Sequence, residues 1–205
     1  LRYIRFFLIY SKQQHDENLK KIIKQNITGI TKISSERLLD ELKKIILSGG
    51  FLKISKDNFS KEILTLIFPQ LINLEILKNI NDYSREIIIK KDFIFLISLM
   101  IIDSTDNSDY FVYKYNLSNE DKKKINFLSS IYSKKIDKNF FKEKNLWKIF
   151  YYNGKDYLFD LIDFKIFQNK KLDKNLINLK NFFNNQKKPN LKVNAKTLID
   201  RFNYK

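Results

Sequence analysis

Apolar side chains recur three and four positions apart along almost the whole chain, never settle into sustained alternation, and are interrupted by only 4 Gly and 2 Pro in 205 residues. A period near 3.6 puts such residues on one stripe of an α-helix, whereas a half-buried strand needs a period of two. The chain is therefore expected to be all-α, each helix burying one face against its neighbours. With 43% hydrophobic and 15% aromatic residues, it can build one good-sized core or two smaller helical units.

The clearest helix is Ile33 to Ile46. Ser34 or Ser35 can cap it, Glu36 lies in the first turn where an anion is favoured, and Gly49-Gly50 closes it. Arg37 and Glu41, four apart, are expected to pair, a surface contribution of about 0.3–0.5 kcal/mol. Before it, helices are expected over 1–10 and from His15 or Asp16 to Gln25, with Thr28-Gly29 as the break. After it come Asp57 to Ile67, ending before Phe68-Pro69, then Leu71 to Asn79 and a central helix from Tyr83 to Ile102. Ile87 to Ile89 also carry some strand character. Asp103 to Asp109 reads as a polar loop, and Ser118 with Asp121 as a capping box opening a helix to Tyr132. Helices over Asn139–Tyr152, Asp156–Phe167, Asp173–Asn184 and Asn194–Arg201 complete the expectation, with Asn153-Gly154 ending the first of them.

Charge is distributed unevenly. The net +16 arises mainly after Tyr113, where 22 basic residues face 9 acidic ones, whereas residues 51–113 hold 7 basic and 9 acidic. Such an excess fits a polyanion, whose counterions are released when phosphates are neutralised. Abundant Lys, Asn, Ile and Phe also reflect an AT-rich coding bias that inflates Lys. Against that bias, the five arginines (Arg2, Arg5, Arg37, Arg85 and Arg201) are candidates for a role that needs a planar, forked cation. Lysines interleave with Tyr110, Tyr113, Tyr115, Tyr132, Tyr151 and Tyr152; most of these rings are expected in the core, and any left exposed can stack on an unpaired base.

Catalytic chemistry is not legible here. There is one His and no Cys, no Gly-rich phosphate loop, and no carboxylate pair on a predicted strand of the kind that holds two Mg²⁺ ions. Asp160 and Asp163 read as a solvated surface pair, and His15 as a cap or surface residue. Asp103, Asp106 and Asp109 lack the closer alternation, Gly and terminal Glu of a Ca²⁺ loop, so no metal site is expected. The longest apolar run, Phe93 to Ile102, is shorter than the ~20 residues a membrane span needs. Absence of Cys and of a leader suits a cytoplasmic protein without a membrane partner.

Leu1-Arg2-Tyr3-Ile4-Arg5-Phe6, followed about thirty residues later by Ile33-Ser34-Ser35-Glu36-Arg37-Leu38 and Asp40-Glu41-Leu42-Lys43-Lys44, resembles the neck of bacterial class II tRNA nucleotidyltransferases, the CCA-adding enzymes and related poly(A) polymerases. Leu66 to Leu71, Asn116 to Glu120, Trp147 to Gly154 and Lys188-Pro189 to Leu198 are similar in order and spacing. The resemblance implies an elongated neck (1–50), body (51–135) and body/tail (136–205), without the α/β head that carries the metal-binding aspartates. It also implies that longer sequence extends past Leu1 and Lys205, and that the nucleotide-selecting Glu-Asp-x-x-Arg motif precedes Arg2. By this resemblance Arg2 and Arg5 match the basic positions after that motif. Ser34, Arg37 and Glu41 match the neck motif that braces the selecting helix.

The body and tail would grip the tRNA acceptor and TΨC arm through backbone and shape, with Lys122, Lys123, Lys134, Lys135, Lys170, Lys171, Lys187 and Lys188 as candidates. Mg²⁺, ATP and CTP would be bound by the head, none by this portion, which alone would transfer no nucleotide. The competing expectation is a freestanding basic helical module that contacts RNA or an acidic protein and has no attached enzyme. A head-coding sequence upstream of Leu1 separates the two.

Overall fold

A computed structural model of the chain describes residues 1–78, 80–133, 140–169, 171–188 and 199. Among them are helices and no strand: α1 (Arg2–Tyr10), α2 (Glu17–Gln25), α3 (Ser35–Ile46), α4 (Asn58–Ile67), α5 (Asp82–Ile88), α6 (Phe93–Ile101), α7 (Asn107–Lys114), α8 (Asn119–Ser133), α9 (Glu143–Asn153), α10 (Lys155–Gln168) and α11 (Lys174–Asn184). Short 3-10 turns at Ile27–Lys32, Phe51–Lys53 and Leu74–Lys78 join some of them. The fold is all-α, as the apolar spacing requires.

Side chains start most of these helices. Asp16, Ser34, Asp57, Asn81 and Asp92 each accept a hydrogen bond from the amide three positions on, satisfying one of the free donors of the first turn. The box at α8 is reciprocal through the hydroxyl. Ser118 Oγ accepts from the Asp121 amide at 3.2 Å and donates to its carboxylate at 2.8 Å.

The single helix expected from Tyr83 to Ile102 is two. Lys90-Lys91 leave the helical path and Asp92 caps a new start, its Oδ1 accepting from the Phe95 amide at 2.8 Å. Ile87 and Ile88 are helical rather than extended, and Ile89 points to solvent. All nine residues of α6 are buried, with α3, α7, α8, α10 and the 74–78 turn packed around it.

The carbonyls at the end of α6 find unusual partners. Asn73 donates its amide to Met100 O and its side chain to Ile102 O, at 3.0 and 2.7 Å. Asn107 bridges Ile101 O and Gln70 O, at 2.7 and 3.0 Å. This use of Asn73 explains why 71–78, the described part of the helix expected over 71–79, forms only a 3-10 turn over 74–78. The Asp103 loop is also shorter than expected, since α7 begins at Asn107. Asp103 Oδ1 accepts from the amide and hydroxyl of Thr105 at 2.9 and 2.6 Å, an Asx turn.

Two apolar clusters form. The larger runs from Ile4 to Phe167, and the smaller joins Leu146, Phe150, Leu158, Ile162, Ile166, Leu176 and Phe183. Helix α10 serves both, sending Leu161, Phe164 and Phe167 one way and Leu158, Ile162 and Ile166 the other. Gly154 lies at φ 89°, a conformation that favours glycine, and turns α9 directly into α10. Trp147 packs in the smaller cluster, its ring 5.1 Å from Phe183 and 5.6 Å from Phe150. The helix expected over 194–201 lies outside the described residues except for Ile199.

Candidate RNA-binding surface

Helix α1 lies on α3 through one carboxylate. Glu41 Oε1 is 3.7 Å from Arg2 Nε and its Oε2 is 3.7 Å from Arg5 Nη2, while Lys44 approaches at 3.5 Å. Ser34 caps α3 as expected, accepting from the Arg37 amide at 3.4 Å. The expected Arg37–Glu41 pair does not form. Glu41 turns toward α1, and Arg37 stays exposed with no ion pair among the described residues. The brace between the two helices is therefore Glu41 with Arg2 and Arg5. Because these contacts are long and partly solvated, Glu41→Ala should reduce stability by about 1 kcal/mol and Arg37→Ala by less than about 0.5 kcal/mol, read from urea midpoints.

His15 is not a surface cap; Asp16 takes that role and His15 is buried. Its Nε2 lies 2.8 Å from Asp57 Oδ2, its Nδ1 lies 2.8 Å from Tyr3 Oη, and its ring stacks on Phe7 with centroids 3.4 Å apart. A carboxylate can only accept, so Nε2 donates to Asp57, and in the neutral ring Nδ1 accepts from the Tyr3 hydroxyl. The same Asp57 oxygen accepts from the Ser60 amide at 2.8 Å. His15 thus ties α1 to the start of α4. Burial opposes the Asp57 charge, but the hydrogen bonds from Ser60 and His15 outweigh it and hold its pKa below the ordinary 3.8.

Asp160 and Asp163 are not a solvated pair either. Asp163 is 0% exposed, with Lys91 Nζ 2.7 Å from one carboxylate oxygen and Lys180 Nζ 2.7 Å from both. Asp160 accepts from Lys91 at 2.6 Å. Burial works against the Lys91 ammonium, yet Asp160 and Asp163 together raise its pKa above the ordinary lysine value. Burial pushes the Asp160 carboxyl up, with Lys91 opposing. These ions lock the 90–92 link, α10 and α11 together. The sequence missed them because i, i+3 carboxylates look alike whether they face solvent or a neighbouring helix.

Of the lysines expected to face RNA, Lys122, Lys123, Lys171, Lys187 and Lys188 are exposed and make no ion pair among the described residues. Lys134, Lys135 and Lys170 lie outside the described residues. The tyrosines divide differently from expectation: Tyr115 is buried, Tyr132 and Tyr151 are half-buried, and Tyr110, Tyr113 and Tyr152 are exposed. Burial raises the Tyr115 phenol to about 12. Among the described residues no group of three or more His, Asp or Glu side chains is arranged to hold a metal ion, and no helix is long and apolar enough to cross a membrane.

Residues 15–74, which carry α2, α3 and α4, match a family model described as "Probable RNA and SrmB- binding site of polymerase A". The match supports a poly(A) polymerase-like RNA-binding region in that stretch and takes in Ser34, Arg37 and Glu41. Neither a curated protein nor a solved structure matches the chain.

Proposed function

We propose that this chain is the neck, body and partial tail of a tRNA 3′-end nucleotidyltransferase, the portion that grips RNA while CMP and AMP are added by a head outside these 205 residues. The supporting observation is the match of residues 15–74 to the polymerase A RNA-binding model, on helices to which α1 is tied by Glu41 and His15. In this reading the α1–α3 brace holds the nucleotide-selecting helix. The exposed lysines after Tyr113 hold the phosphates of the tRNA acceptor and TΨC arm. The head supplies Mg²⁺, CTP and ATP binding, and the setting is cytoplasmic.

The test measures tRNA affinity for the 205-residue chain across a salt series, alongside 3′-extension assays with Mg²⁺, CTP and ATP. Binding should weaken linearly in log–log form, with a slope of roughly 0.7–0.9 per phosphate neutralised, and no nucleotide should be added. A salt-independent affinity, or binding of poly-glutamate in preference to tRNA, would overturn the reading.

A further inference from the structure

Helices α7 and α8 enclose an open groove of about 900 Å³ that lies outside the stretch matched to the polymerase A model. Its volume is within the ~300–1,000 Å³ of small-ligand sites. Tyr110 and Tyr113, three apart, line it from one helix; Asn119, Lys122 and Asn126, at i, i+3 and i+7, line it from the other. Asn116 closes the corner at φ 47°, a left-handed conformation that asparagine tolerates better than most residues.

Three observations converge on this groove. Tyr113 is 84% exposed and Tyr110 53%; Tyr10, Tyr152 and Phe6 are exposed elsewhere, but these two stand on one helix face in the groove. Among the described residues, Lys122 is exposed without an ion pair, Lys114 is half-buried, and Asp109 is the one carboxylate in the lining. Among the described residues, Asn126 keeps its side-chain Oδ1 buried with no hydrogen-bond partner. A water satisfies an orphan acceptor just as well, but it gives no reason for two tyrosines to stand open beside a lysine.

We propose that this groove binds unpaired nucleotides of an RNA strand: Tyr110 and Tyr113 stack on bases, and Lys114 and Lys122 meet phosphates. Each base offers a π-face but only an unstacked one can lie on a ring, so the site selects single-stranded over duplex RNA. The inference rests on the RNA-binding reading above and adds to it a second contact, distinct from the shape-based grip on paired arms.

The experiment uses the 205-residue chain and fluorescence anisotropy with a labelled single-stranded RNA dodecamer, the same strand annealed to its complement, and tRNA. The Tyr110→Ala/Tyr113→Ala variant should lose about tenfold or more of its single-strand affinity while duplex binding changes less than about twofold. Tyr113→Leu, which keeps apolar bulk without a ring, should lose affinity in the same direction with an unchanged melting curve. Lys122→Ala should lower the salt slope for the single strand by roughly 0.7. Single-strand affinity of the tyrosine variants within about twofold of the parent overturns the groove but leaves the RNA-binding reading standing. No binding of any of the three RNAs by the parent chain at low salt overturns both, and capture of poly-glutamate by the same groove residues would assign it to an acidic protein instead.

Discussion

Asp163→Ala is expected to destabilise the chain by about 3–5 kcal/mol, the range seen when one partner of a buried ion cluster is removed. In a chain of this length that corresponds to a fall of roughly 10 °C in melting temperature. The cause is the two ammonium groups left behind. Lys91 and Lys180 both sit 2.7 Å from the Asp163 carboxylate and are themselves less than one-fifth exposed, at 14% and 19%. A second variant separates this from simple loss of volume: changing Lys91 and Lys180 to Met together with Asp163→Leu and Asp160→Asn removes every charge of the cluster at once and should recover most of the loss. Asp160→Ala should cost less, because Asp163 still faces both lysines. Melting of Asp163→Ala within about 2 °C of the parent would mean that the lysines swing out to water and that the cluster does not hold α10 to α11.

The second large effect is at His15. His15→Ala removes a ring stacked on Phe7, opens a cavity, and deprives Tyr3 and Asp57 of their shared partner, for an expected loss of about 2–4 kcal/mol in urea unfolding. The variant should also change the acid limb of the stability curve. The folded pKa of Asp57 is below its unfolded value of about 3.8, so this group stabilises the fold above that value and its contribution disappears as pH falls through the lower, folded pKa. Without His15 the folded pKa moves back toward the unfolded one, and stability should depend less on pH as it falls below the unfolded carboxyl value. A variant with the parent's acid limb would show that Ser60 alone holds the carboxylate.

The helices were legible wherever cap and period agreed, as at Ser34 for α3, Ser118 for α8 and Asn153-Gly154 between α9 and α10. They were not legible where a side chain served a distant backbone. Asn73 sits in a stretch that reads as helix and Asn107 in a polar one that reads as loop, yet both satisfy the end of α6, and that role shortens one expected helix and starts another. Apolar residues on both sides of Asp92 hid the break between α5 and α6, since periodicity alone does not distinguish one buried helix from two. At the candidate surface the sequence located Ser34 and Glu41 but paired Glu41 with the wrong arginine. Local i, i+4 geometry favours Arg37, and only tertiary packing brings Arg2 and Arg5 within reach. His15 was the least legible residue, because its two partners lie 12 and 42 positions away.

The chain has one tryptophan, and it lies in the smaller apolar cluster, its indole N–H donating to Glu143 at 3.1 Å and its ring packed on Phe150 and Phe183. Intrinsic emission excited at the indole band therefore reports on the α9–α11 end alone, while far-ultraviolet dichroism averages over every helix. Superimposed melts from the two signals mean that α10, shared by both clusters, transmits unfolding from one to the other; separated melts mean that the two ends are independent cooperative units.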